Sequence, residues 1–71
     1  SQFFVQIESS NRVEKVQVRV MDLSGRVIDL FNNLSANQTL KLGSKYRPGM
    51  YIVEMIQGEN RRQLKLIKQP D

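Results

Sequence analysis

The sequence predicts an all-β domain, either a small sandwich or a partly open barrel. Three observations carry this reading: apolar residues alternate with period two along most of the chain, turn-forming residues recur at short intervals, and no segment has a helical period. At 71 residues the chain makes one small domain, read as 1–71, near the lower size at which a hydrophobic core holds by itself.

The first strand is expected over Phe3 to Glu8, with Phe3, Val5 and Ile7 on one face and Phe4, Gln6 and Glu8 on the other. The clearest alternation is Glu14 to Asp22. There three β-branched residues, Val16, Val18 and Val20, oppose Lys15, Gln17, Arg19 and Met21, which predicts a strand near the middle of a sheet with one wet face. Asp22-Leu23-Ser24-Gly25 reads as a tight turn, because Asp bonds to nearby backbone and Gly supplies a positive φ. Arg26 to Phe31 is strand-like again; Asp29 in the alternate set argues that Ile28 and Leu30 face inward, while Phe31 in that same set argues the other way. Asn32 to Asn37 reads as a loop. Gln38 to Leu42 is a short strand with Leu40 and Leu42 inward, and Gly43 to Gly49 is a second loop ending in a Pro-Gly turn mark.

Met50 to Gln57 is the most apolar strand, interrupted by Glu54 alone. Such a strand is central and covered on both faces, or covered on one and engaged in a contact on the other. Gly58-Glu59-Asn60 turns the chain into a last strand, Arg61 to Lys68, with Leu64 and Leu66 inward and Lys65 outward. Gln69-Pro70-Asp71 is a polar end. Six strands of this size fall short of the roughly seven strands and 100 residues usual for an immunoglobulin-like sandwich. The chain opens without Met, runs from Ser1 directly into strand residues and carries no readable signal peptide. It is therefore expected to be excised from a longer protein.

Composition removes several functions. The chain has no Cys and no His, so disulfides, thiolate metal sites and the usual Ser-His and Cys-His nucleophile pairs are excluded. No apolar run approaches the roughly 18 residues of a membrane-spanning helix. The net charge of +4 is local: Arg61, Arg62, Lys65 and Lys68 stand in a stretch without acids, and the rest of the chain balances seven basic against seven acidic residues. That segment carries no aromatic residue, which argues against nucleic-acid binding. It reads as a solvated edge strand that resists aggregation, or as a surface for anionic lipid or polysaccharide.

Other fragments reduce to simpler roles. Ser24 is a turn serine. Gly43-Ser44-Lys45 lacks the spacing and the following helix of a phosphate-binding loop. Asp22, Asp29 and Glu54 form no paired-carboxylate signature. Asn33-Leu34-Ser35 and Asn37-Gln38-Thr39 match the glycosylation triplet, a pattern common by chance in polar loops. Phe3, Phe4, Tyr46 and Tyr51 suggest a sugar-stacking platform, but most are expected in the core or at a sheet edge, with Tyr46 the least settled.

The ordered elements are Val16-x-Val18-x-Val20-Met21-Asp22-Leu23-Ser24-Gly25-Arg26-Val27, then Leu40-Lys41-Leu42, then Pro48-Gly49-Met50-Tyr51-Ile52-Val53, then Leu64-Lys65-Leu66-Ile67-Lys68. Over Ser1 to Lys68 this series resembles the type A C-terminal sorting domain of cargo proteins of the type IX secretion system of Bacteroidota. Two features depart from the family pattern. The Asn-Pro element that usually opens the domain is absent, and Gln69-Pro70-Asp71 follow the usual terminal Lys.

The resemblance implies a small immunoglobulin-like β-sandwich of about six to seven antiparallel strands. It also implies a non-catalytic address at the end of a larger secreted protein, without cofactor or metal. Its partners would be the outer-membrane type IX translocon and a sortase-like peptidase that removes the domain and joins the cargo to lipopolysaccharide. Its location would be the periplasm, in transit to the cell surface or extracellular space. The recognition residues it points to are Asp22, Gly25 and Arg26 at the first turn, Gly49, Tyr51 and Val53 at the central strand, and Leu64, Lys65, Leu66, Ile67 and Lys68 in the terminal strand. Arg26 is expected either to recognise a partner or to pair with a nearby carboxylate. The terminal strand is expected to dock through its edge, and the same edge allows a weak homodimer. The rival reading is an accessory carbohydrate-binding or adhesion module of a secreted enzyme.

Overall fold

The computed structural model describes residues 2–70. Ser1, from which an excised start was read, and Asp71, the last residue of the polar end, lie outside the described residues. Within them the chain forms six strands: β1 (Phe3–Gln6), β2 (Val16–Asp22), β3 (Val27–Leu34), β4 (Thr39–Leu42), β5 (Gly49–Gln57) and β6 (Asn60–Lys68). All pairings are antiparallel. The strands make a four-stranded sheet in the order β3-β2-β5-β6 and a two-stranded sheet of β1 and β4. This is the predicted all-β architecture, a small β-sandwich. β2 and β5 are the inner strands of the larger sheet, as their apolar content required.

The core lies between the sheets. Val16, Val18 and Val20 of β2 alternate inward, and Val20 stands opposite Val53 in the register with β5. Val18, Val20 and Val53 are completely shielded from solvent. Tyr51 joins them from the larger sheet, Val5, Leu40 and Leu42 face them from the smaller one, and Ile7 follows directly after β1. Each fully buried aliphatic side chain of this kind contributes about 1.5–3 kcal/mol. In a chain this short, few side chains carry most of the stability.

Three expectations need correction. The Asn32 to Asn37 loop begins later, because β3 continues to Leu34, which pairs with Val16 across a register shift. Asn33 and Asn37 take positive φ, 60° and 63°, a conformation Asn tolerates better than most residues. That conformation accounts for an asparagine at the head of both glycosylation-like triplets. Second, β3 is turned over: Ile28 and Leu30 are exposed, while Phe31 packs against the core and Asp29 is half-buried. The polar Asp29 faces inward because the Tyr46 hydroxyl donates to its Oδ2 at 2.9 Å. Third, Leu64 shares the inward face with Leu66, opposite Val53 and Tyr51, yet it is 37% exposed. Leu66 packs against the core.

The segment between β1 and β2 is held by Gln57, buried at the end of β5. Its Nε2 donates to the carbonyls of Asn11 and Glu14, both at 2.8 Å, and its Oε1 accepts from Ser9 Oγ at 2.6 Å. Asn11 Oδ1 accepts from the amides of Val13 and Glu14. A loop without regular structure is thereby given hydrogen-bond partners for its backbone.

Candidate functional site

The antiparallel registers bring the end of β2, the start of β5 and the end of β6 to one end of the sandwich. Asp22 stands opposite Tyr51, and Gly49 opposite Lys68. The turn after β2 and the loop before β5, separate in sequence, meet there around a shallow cleft of about 830 Å3. Its walls include Asp22 and Arg26 from the turn, and Lys45, Tyr46, Arg47 and Gly49 from the loop.

Asp22 organises the turn. Its Oδ1 accepts from the Ser24 hydroxyl at 2.6 Å and from the amides of Ser24 and Arg26 at 3.0 and 3.1 Å. Its carbonyl accepts from the Gly25 amide at 3.0 Å, and its own amide donates to the Arg26 carbonyl at 3.0 Å. The Ser24 hydroxyl foremost, with the two amides and the Arg26 charge, holds the carboxyl below the ordinary aspartate range. Gly25 sits at φ +89°, and an added Cβ would meet nothing within 4 Å. The demand for glycine is therefore one of backbone conformation, not of space. Arg26 Nε lies 3.3 Å from Asp22 Oδ2, with 79% of its side chain exposed. The carboxylate pairing weighed for Arg26 is present, and most of the guanidinium still faces solvent.

Tyr51 is buried, and its hydroxyl donates to the Arg47 carbonyl, which pins the loop to β5. Its ring lies against Tyr46, centroids 5.2 Å apart and tilted by 43°. Burial first, and then the Asp29 carboxylate, pushes the Tyr46 phenol well above its ordinary value. Phe3 and Tyr46 pack on the core and Tyr51 belongs to it, so of the four rings considered for a platform only Phe4 is exposed.

Val53 is wholly internal. In the terminal strand, Lys65 and Ile67 are exposed, Leu64 is partly so and Leu66 is half-buried. Lys68 is buried, and its Nζ donates to the Gly43 carbonyl at 2.7 Å. It ties the end of β6 to the cleft loop. Among the described residues, no group of His, Cys, Asp and Glu is arranged to hold a metal ion.

Two features went unread in the sequence. Lys45 and Arg47 join Arg26 at the cleft, and neither forms a side-chain hydrogen bond or ion pair among the described residues. On the opposite face of the larger sheet, Glu54 is buried beneath Arg19 and Gln63. Arg19 Nε donates to Glu54 Oε1 at 3.0 Å and Gln63 Nε2 to Oε2 at 2.9 Å, with Arg61 Nη1 3.7 Å from Oε1. The Arg19 hydrogen bond foremost, then that from Gln63, holds the Glu54 carboxyl below its ordinary range.

A family model described as the secretion system C-terminal sorting domain matches residues 1–69. No curated protein and no solved structure matches the chain.

Proposed function

This chain belongs to the type IX secretion system C-terminal sorting domain family, and from that premise we propose that it is the last domain of a larger secreted precursor, read by the outer-membrane translocon from the periplasm. The family supports a C-terminal sorting signal that sends its protein along the type IX pathway to the cell surface. Members are in general non-catalytic. Beyond that, we assign the reading of the signal to the end of the sandwich where the Asp22–Arg26 turn, the loop into β5 and the end of β6 meet. A sortase-like peptidase then removes the domain and joins the cargo to lipopolysaccharide.

The observation that carries this proposal is the convergence itself. Two of the family-like segments, far apart in sequence, meet at one cleft, through Asp22 and Arg26 of one and Pro48 to Tyr51 of the other, and a third forms the edge strand β6. β6 lies at a sheet edge, with unpaired backbone groups available for strand addition and Lys65 to help set register. Pairing of β6 with the same strand of a second copy would bring Arg61, Arg62 and Lys65 toward an equally basic segment. The charge therefore favours a different partner.

The test is a reporter carrying a signal peptide at its N-terminus and residues 1–71 at its C-terminus, expressed in a bacterium with a working type IX system. Surface or extracellular reporter is expected, with retention in the periplasm when residues 64–71 are deleted. Delivery that survives the deletion would sink the assignment to β6. Failure of the intact fusion to leave the periplasm would sink the sorting reading itself.

A further inference from the structure

On the larger sheet, the residues that alternate with the buried Val18, Val20 and Val53 point away from the core. Register sets them in rows across all four strands. One row is Val27, Met21, Ile52 and Lys65, with Val27 brought opposite Met21 by a register shift in the β2–β3 pairing, and the next is Leu30, Arg19, Glu54 and Gln63. Beyond the first row, Met50 stands beside Ile67. A solvated sheet face normally carries polar side chains at these positions. Here Val27, Leu30, Met50 and Ile67 are between 37% and 53% exposed, with Met21 and Ile52 half-buried among them. They form a contiguous apolar patch, whereas apolar residues scattered singly would need no explanation.

The exposed charge around this patch is predominantly positive. Lys65 lies in its central row, Arg61 lies further along β6 on the same face, and Arg26 precedes Val27. Met50 also lines the end cleft, so the patch runs over its lip to Lys45 and Arg47, whose side chains have no partner among the described residues. The carboxylate on this face, Glu54, is buried and held by Arg19 and Gln63. The partly exposed carboxylate of Asp22, in the end cleft, already pairs with Arg26. An apolar centre with a rim of net positive charge does not complement itself. A second copy laid on the face would oppose cation to cation.

We infer that the outer face of the β3-β2-β5-β6 sheet is a docking surface for an acidic segment of another protein, one with apolar side chains at its centre and carboxylates at its margins. The apolar side chains cover Val27, Leu30, Met50 and Ile67, and the carboxylates meet Arg26, Lys65 and the cleft cations. The inference is argued from this surface, which shares Arg26, Lys65 and the cleft cations with the sorting assignment but does not depend on export.

The 71-residue chain, labelled with 15N, tests it by titration with two short synthetic peptides that share one Leu/Ile/Val centre. One is flanked by Glu and Asp, the other by Lys and Arg. The acidic peptide is expected to shift the amides of β3, β5 and β6 in the rows named above, to saturate, and to bind at least about tenfold more tightly. Its affinity should fall as salt is raised. Lys65→Glu should reduce that preference, and Leu30→Ser should weaken both peptides; both positions are exposed, so unchanged melting controls for the fold. Equal binding of the two peptides, or shifts confined to the inner face, overturns the inference. So does capture by phosphatidylglycerol-containing vesicles without binding of the acidic peptide, or a dimer in sedimentation formed through this face. A negative result here, with the reporter fusion still exported, removes the surface and leaves the sorting assignment standing.

Discussion

The Tyr46 hydroxyl donates to Asp29 Oδ2 at 2.9 Å, and this bond joins the cleft loop to β3 while drawing an acidic residue to the inner side of the sheet. Ile28 and Leu30 face solvent as a consequence, and the loop that carries Lys45 and Arg47 is tied to β3 beside the cleft it shares with the Arg26 turn.

Tyr46→Phe should therefore cost about 1–2 kcal/mol at neutral pH, a hydrogen bond to a charged acceptor discounted for partial exposure. The phenol must keep its proton to donate, and its folded value is raised, by burial first and by Asp29 second. Its stabilisation is thus complete below the ordinary tyrosine value of about 10 and is lost as pH rises beyond it. Urea unfolding of both proteins across that range checks this. The gap between wild type and variant should narrow in alkali, and a gap independent of pH would be inconsistent with the bond.

Period two states which residues share a face but not which face is inward. On β2 the three valines decided that question locally. On β3 both faces carry apolar residues, and the decision fell to Asp29, whose partner lies 17 positions away. Glu54 read as a simple interruption of β5 because its partner Arg19 is 35 positions distant. The motif residues at Asp22, Gly25, Gly49 and Tyr51 were legible because turns and strand entries constrain residue type locally. Lys45 and Arg47 were not, because a cationic cleft exists only once the two loops meet.

Glu54→Gln should destabilise the fold by about 1–2 kcal/mol, since the buried carboxylate accepts from Arg19 and Gln63. The carboxyl is held below its ordinary range, by Arg19 first. This stabilisation is present above the ordinary glutamate value of about 4 and is lost as pH falls through the lower folded value. Thermal melts from neutral to acid pH should show the difference between wild type and Glu54→Gln shrinking in acid. A constant difference would assign the loss to packing.

Gln57→Leu should remove the support of the loop between β1 and β2. Its amide satisfies the Asn11 and Glu14 carbonyls, and the cost is about 2–3 kcal/mol with those groups left unmet. Amide exchange read by residue should quicken most in the segment from Ser9 to Glu14. Uniform quickening over all strands would mean that Gln57 supports the whole sheet and not this loop.

Arg26→Ala separates recognition from folding. The Arg26 side chain makes only an exposed ion pair with Asp22, and the turn is closed by backbone groups that the substitution keeps: the Arg26 amide donating to Asp22 Oδ1 and the Arg26 carbonyl accepting from the Asp22 amide. Exposed pairs of this geometry add little to stability, so the melting midpoint should barely move. Export of the reporter fusion should nevertheless fall severalfold, because a mostly exposed guanidinium at the cleft is then gone. Arg26→Lys should recover part of the export, as a cation without the planar fork. Parallel losses of melting temperature and export would make Arg26 a structural residue, and export unchanged in Arg26→Ala would remove it from the recognition end.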